Sequence, residues 1–397
     1  MPFAQMVALA TLGGWLFTKE RYPLPWCREV WLLCALWVTF LLSTTFAAIY
    51  PLDAWPQFDK VSKILLITFV TLLLIQDQHK LRALLMVIAL SLGFFGLKGG
   101  VFAVLSGGNY MVLGPPDTFL EGNTNLGLAL NMTLPLLFFL GREEHRPWLR
   151  RLLLATFWFS IIAVLITYSR GALLGLLVVL SLLFLKSKTK FVVLLLLTVT
   201  IPLAAMIIPE KWFGRMETVQ TYEEDRSAMG RIRAWEVAYR LALDRPLLGG
   251  GFEPFSRETY LRYLSEDRLT NADIGTGAHN IFLQILAEHG FTGLFFFAGL
   301  ILSTMYSIRQ LVRRCRTDPA KQWICSYAQM VEASLMGYVA SGLFLSMCYF
   351  DLFYHLVAVV IILKKLSLTE EKSVASLSSP IGFRRVKPRP RVVAEAS

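Results

Sequence analysis

The chain has 397 residues, of which 55% are hydrophobic and only 17% charged, with a formal net charge of +11. A soluble protein of this length needs more charged surface than that, and several apolar runs reach the roughly 17–25 residues that cross a bilayer as a helix. Barrel strands would alternate in short segments, which these runs do not. The sequence therefore predicts an all-α polytopic membrane protein. About eleven (10–12) spans are expected, near 3–17, 30–49, 61–75, 82–104, 125–140, 150–167, 171–186, 190–208, 280–306, 324–348 and 350–364. The first starts at residue 3 without a charged leader, unlike a cleaved signal peptide.

The connecting segments alternate in character. TKERYPLPWCRE (18–29), QDQHKLR (76–82), GREEHRPWLRR (141–151), KSKTK (186–190), RQLVRRCRTDPAKQW (309–323) and the tail from Lys364 hold most of the 39 Lys and Arg residues. By the positive-inside rule these segments face the cytoplasm. Every second connection is then external: 50–60, 105–124, the turn at 168–170, and 209–279. This distribution explains the positive charge by topology, and no nucleic-acid partner is expected. Cys27, Cys34, Cys315, Cys325 and Cys348 have no metal or redox spacing.

The expected organisation is an N-terminal bundle (1–208, about eight helices), a large external loop (209–279), C-terminal spans (280–364) and a disordered tail (365–397). Within the loop, SAMGRIRAWEVAYRLALDRPLLGGGFEPF reads as an amphipathic helix. Ile232, Trp235, Val237, Ala238, Leu241 and Ala242 share one face, and Gly249, Gly250 and Gly251 end it. Tied at both ends to spans, this segment is expected to cap the external face of the bundle.

Arg170, in TYSRGALL, stands between two apolar runs joined by almost no loop, where an arginine snorkels to headgroups or clamps an anion. A guanidinium offers a phosphate two parallel hydrogen bonds, which lysine cannot match in the same geometry. Lys98, in GLKGG, lies in the external half of the fourth span. Arg231 and Arg233, in GRIRAW, sit on the loop helix, Asn123 and Asn125 at the mouth of the fifth span, and His279 and Glu288 in AHNIFLQILAEHG. Singly, each of these residues has an ordinary structural explanation. Together, arginines and a histidine beside apolar walls fit a substrate with a lipid tail and a phosphate head. The arginines would balance a leaving pyrophosphate, and a histidine titrating near neutrality would take the acceptor's proton. There is no H-E-x-x-H, no external D-x-D and no nucleotide loop, so neither metal nor cofactor is expected.

TYSRGALL, MGRIRAW and AHNIFLQILAEHGFTGL, in this order and sidedness, resemble the O-antigen ligase and O-antigen polymerase superfamily of bacterial membrane glycosyltransferases. PFAQMVALATLGGWLF, GLKGGVFAVLSGGNYMVLGPP and RMETVQTYEEDRSAMGRI bring the chain closest to the O-glycosylation ligases associated with exosortase A systems. Members of that branch usually carry hydrophobic sequence upstream of the PFAQ stretch, and here Met1 precedes it directly. The resemblance runs to about residue 310. It implies a metal-independent inner-membrane enzyme that moves a glycan from undecaprenyl pyrophosphate to a hydroxyl of a protein or lipid at the periplasmic face. His279 falls on the family's general base, and Arg170 and Arg231 on its pyrophosphate-binding arginines. Arg233 lies outside the motif. Lys98, Asn123, Asn125 and Glu288 lie in matching stretches without an assigned role. The alternatives are a polymerase of lipid-linked repeats and a transporter of a lipid-linked or anionic solute.

Overall fold

The computed structural model describes residues 3–17, 23–186, 226–265, 277–316 and 318–378. Its helices are α1 (Phe3–Phe17), α2 (Arg28–Phe46), α3 (Pro51–Leu74), α4 (Gln78–Leu105), α5 (Asn123–Glu143), α6 (Pro147–Leu165), α7 (Arg170–Lys186), α8 (Arg226–Asp244), α9 (Arg257–Tyr263), α10 (Ile281–Cys315), α11 (Gln322–Gly342) and α12 (Asp351–Ser378). No strand occurs among the described residues. All but one of the expected spans overlie these helices, and the exception, 190–208, lies outside the described residues. By length and apolarity together, 6 of the described helices suffice to cross a membrane: α2, α4, α5, α6, α10 and the first part of α12. Helix α12 continues to Ser378, into the segment expected to be a tail.

Helix α5 is the axis of the bundle. Nearly every residue from Leu126 to Gly141 is buried, as expected of a helix that is apolar all round. It packs against α4, α6, α7 and α11. Asn131 at its centre would be costly in such surroundings without partners. Its amide donates to the Ala172 carbonyl (2.7 Å) and the Ser341 hydroxyl (3.0 Å), which ties α5 to α7 and α11. Helices α4 and α6 meet through glycines. A Cβ at Gly100 would lie 2.8 Å from the Phe159 Cα, so this close approach requires glycine. Because Gly96, Gly99 and Gly100 occupy the packed face, Lys98 is turned to the exposed side of α4.

The connections gather at two ends. At one end, Arg82 pairs with Glu144 (2.9 Å), Lys186 with Glu332, and Lys364 with Glu29 (2.8 Å). At the other, the turn after α2 is bonded to the glycine run, with the Ile49 N–H donating to the Gly250 carbonyl (2.8 Å). There too the Val112 N–H donates to the Ile166 carbonyl (3.1 Å), and the Tyr168 hydroxyl to Gly108 (2.8 Å). Helix α8 lies across the start of α10 at this second end. Its Val237, Ala238, Leu241 and Ala242 are buried as expected, with Ala234 in addition, whereas Ile232 and Trp235 are only partly covered. It stops at Asp244, ahead of the glycines. Pro246 disfavours helical backbone at the residue before it and cannot continue the helix.

Helix α10 is broken at Gly290 (φ 66°, ψ −166°), a conformation essentially confined to glycine. The break frees carbonyls that would be costly if left bare. Those of Ala287 and Glu288 accept from the N–H groups of Gly250 (2.9 Å) and Gly251 (2.9 Å), and Ser43 also donates to Glu288 (2.9 Å). The glycine run is thus the plug of a broken helix, which its sequence alone does not reveal.

Candidate functional site

His279 stands just before the N-cap of α10, where Asn280 accepts from the N–H groups of Phe282 (2.9 Å) and Leu283 (3.2 Å). Its own backbone is left-handed (φ 45°), uncommon for a residue with a side chain. Two contacts hold it there. Its N–H donates to the Ser346 hydroxyl (2.8 Å), and Trp235 on α8 donates to the preceding Ala278 carbonyl (2.7 Å). Non-glycine residues in this region cluster at functional sites, where the surroundings over-determine them.

The imidazole lines a cavity of about 230 Å³ together with Gln57, Phe119, Glu253, Phe255 and Glu288. Burial lowers its pKa from the ordinary value, and the nearby Arg231 cation lowers it further. Both causes disfavour imidazolium, so at neutral pH His279 presents a neutral ring able to accept a proton.

Arg231 therefore lies within electrostatic reach of His279. Arg170, the first residue of α7, reaches the same end by a different route. Its neighbour Gly171 is pressed against Phe344, where a Cβ would sit 2.8 Å from that side chain. The segment 343–350 carrying Phe344 also supplies Ser346 to His279. The turn ahead of Arg170 is fixed by Tyr168 (φ 57°) and by Asn123, whose amide donates to the Thr167 carbonyl (2.8 Å). Asn125 is partly exposed on the first turn of α5, and Arg233 is partly exposed on α8. Lys98 does not line this cavity.

Glu288 is 2% exposed and belongs to a buried polar chain. Its carboxylate accepts from Gln284 (3.1 Å) and from the Tyr349 hydroxyl. Tyr349 in turn meets His289 Nε2 (2.7 Å). The His289 ring is fully buried between Phe40 (4.4 Å) and Phe252 (4.6 Å). It is inaccessible to any substrate, so of the two histidines in AHNIFLQILAEHG only His279 faces a cavity.

Several residues at the site are absent from the sequence-based set. Glu253 has a left-handed backbone (φ 54°) and keeps accessible surface because it faces the cavity, yet protein surrounds it. Burial raises its carboxyl above the ordinary range, the Asp53 carboxylate adds to this, and Lys60 opposes it. Tyr349 and Ser346 come from the short α11–α12 connection. The usable signal for Glu253 is an acidic residue two positions after a glycine run. Tyr349 carried no such signal, because MCYFD reads as the end of a span.

Residues 155–298 match the O-Antigen ligase family, and residues 1–144 match a family of unknown function. No curated protein matches the chain. The first range contains Arg170, Arg231, Glu253, His279 and Glu288; the second contains the facing wall of α3, with Asp53, Gln57 and Lys60. The segment 343–350 lies outside both. The match supports the O-antigen ligase superfamily and a membrane enzyme of ligase or polymerase type.

Proposed function

We propose that this chain is an O-antigen-ligase-like glycosyltransferase of the bacterial inner membrane, with the end that carries His279 facing the periplasm. It transfers a glycan from undecaprenyl pyrophosphate to a hydroxyl of a protein or lipid. The observation that carries this reading is His279: a cavity-lining imidazole kept neutral beside Arg231, inside the range that matches O-antigen ligases. The asymmetry of the basic connections supports the sidedness, and segment 209–279 is then the periplasmic loop. The similarity of PFAQMVALATLGGWLF and GLKGGVFAVLSGGNYMVLGPP supports the exosortase-associated branch.

In the proposed step the acceptor oxygen bonds to the anomeric carbon while His279 takes the hydroxyl proton. The bond from that carbon to the pyrophosphate oxygen breaks, and the electron pair leaves on undecaprenyl pyrophosphate. Arg170 and Arg231 balance the charge that develops there, and the imidazolium returns its proton to water. Among the described residues no group of three or more His, Cys, Asp or Glu residues is placed to hold a metal ion, and the proposed step uses none. A transporter would share one feature, the broken α10. Its opened carbonyls at Ala287 and Glu288 are taken by Gly250, Gly251 and Ser43, which argues against an ion site there.

The test uses cells lacking the gene, complemented with wild type or His279→Ala, with polyprenyl-linked and transferred glycans sized by mass spectrometry. A ligase variant accumulates lipid-linked glycan of normal length and loses transferred glycan. A polymerase variant accumulates single repeat units. Lipid-linked glycan unchanged in amount and length rejects both enzyme readings.

A further inference from the structure

Beside the His279 cavity lies a larger one of about 830 Å³, bounded by Tyr50, Asp53, Lys60 and Pro56 on one side and Ser256 and Glu258 on the other. The two cavities share Gln57, Glu253 and Phe255, so they meet along a common wall. The junction is built. Lys60, from the outer cavity, lies over the ring of Phe119, from the inner one, at 3.8 Å. Glu253 holds its left-handed backbone at this junction. The outer wall is pinned through Tyr50, whose hydroxyl meets Ser256, Glu258 (3.0 Å) and Thr259 (3.2 Å).

The outer cavity differs in charge from Arg170 and Arg231, to which the donor is assigned above. Among the described residues, three carboxylates, Asp53, Glu253 and Glu258, face it against one cation, Lys60. Asp53 stands close enough to disfavour the charge on Glu253. A pyrophosphate donor would be repelled here and drawn instead toward Arg170 and Arg231. Ionised carboxylates only accept hydrogen bonds, and Gln57 and Tyr50 both donate and accept. Phe255 and Pro56 add flat apolar surface. That combination suits a partner with many hydroxyls, and its size is that of a small-ligand cleft. A bound peptide would need a free sheet edge or a continuous apolar groove, and the lining has neither.

We propose that this outer cavity is the acceptor subsite, and that it takes the neutral or amine-bearing carbohydrate part of a glycosylated lipid or protein acceptor and excludes polyanionic ones. The assignment rests on the glycosyl-transfer reading above: donor and acceptor approach His279 from oppositely charged sides. A cavity of this charge discriminates by repulsion as much as by attraction.

The full chain in nanodiscs, as wild type, His279→Ala, and Asp53→Asn with Glu258→Gln, is titrated with four probes. These are the glucosamine trisaccharide, its neutral N-acetylated form, trigalacturonate and a lysine-serine tripeptide. Wild type and His279→Ala should bind the glucosamine trisaccharide at least about tenfold tighter than trigalacturonate, with the neutral sugar between them. The Asn/Gln variant should bring the two charged sugars within about twofold while its melting temperature stays that of wild type. Equal binding of all sugars, tighter trigalacturonate, or a preference that survives in the variant overturns the proposal. A tripeptide that binds as well as the glucosamine trisaccharide overturns the carbohydrate assignment. Undecaprenyl pyrophosphate is titrated in parallel. If it binds and the sugars show no preference, only the acceptor assignment fails. If it does not bind wild type at all, the glycosyl-transfer reading fails by itself.

Discussion

At the basic end of the bundle Glu29 is fully buried, and every group around it answers its charge: Lys364 at 2.8 Å, Ser307 at 2.6 Å and Ser303 at 2.9 Å. Arg82 and Lys186 close on Glu144 and Glu332 in the same way. At the other end Asp53, Lys60, Glu253 and His279 line cavities, two of them on backbone that a side chain rarely adopts. The first arrangement makes charge part of the packing. The second holds charge and conformation ready for something that is not packing, which is how a site differs from a scaffold made of the same residue types.

Breaking each end should therefore register in a different measurement. The largest effect is expected from His279→Ala, which should lower transfer by about 10²–10⁴-fold, the usual worth of a general base. Protein level and melting temperature should not change, as read from lipid-linked glycan accumulation beside detergent thermal stability. Next come Arg170→Ala and Arg231→Ala, each expected to lower the transfer rate by about 10²–10³-fold. Lysine at either position should restore little, because it lacks the paired donors; full rescue by lysine would show that charge alone suffices.

At the basic end the outcome reverses. Lys364→Met leaves Glu29 buried without its cation and should cost about 3 kcal/mol of stability. Adding Glu29→Gln should recover most of that loss. Transfer per folded molecule should stay at the wild-type rate in both variants, and a drop would mean that the two ends are coupled.

The smallest effect sharpens the site itself. The lowered His279 value means that its neutral form persists as pH falls below about 6.5, the ordinary histidine value. Transfer should hold through that range and fail only below the lowered value. Arg231→Ala removes one of the two causes, so the acid limb of its residual activity should move up in pH. Burial, the larger cause, remains, so the limb should stop short of the ordinary position. A limb that does not move would place Arg231 too far from the ring to matter.

The helical class, the places of most helices and the candidacy of His279, Arg170 and Arg231 were legible in the sequence, because each rests on local signals. Apolar runs of membrane length, basic loops at every second connection, and a histidine at the seam between polar and apolar sequence are all readable along the chain. The amphipathic face of α8 was legible for the same reason, since helical spacing puts Val237, Ala238, Leu241 and Ala242 on one side. What only the tertiary structure decided are relations between distant segments. The glycine run 249–251 looked like a helix stop and turns out to satisfy the carbonyls of a helix broken at Gly290. Lys98 looked like a span-embedded cation, and glycine packing against α6 turns it outward. Ser346 and Tyr349 looked like the end of a span, yet one hydroxyl holds His279 and the other joins Glu288 to His289. Asp53 and Lys60 stand roughly two hundred residues from Glu253, and nothing in either stretch marks them as neighbours. Periodicity and composition report what one segment buries, whereas a cavity is the space that several segments leave between them, and only their packing defines it.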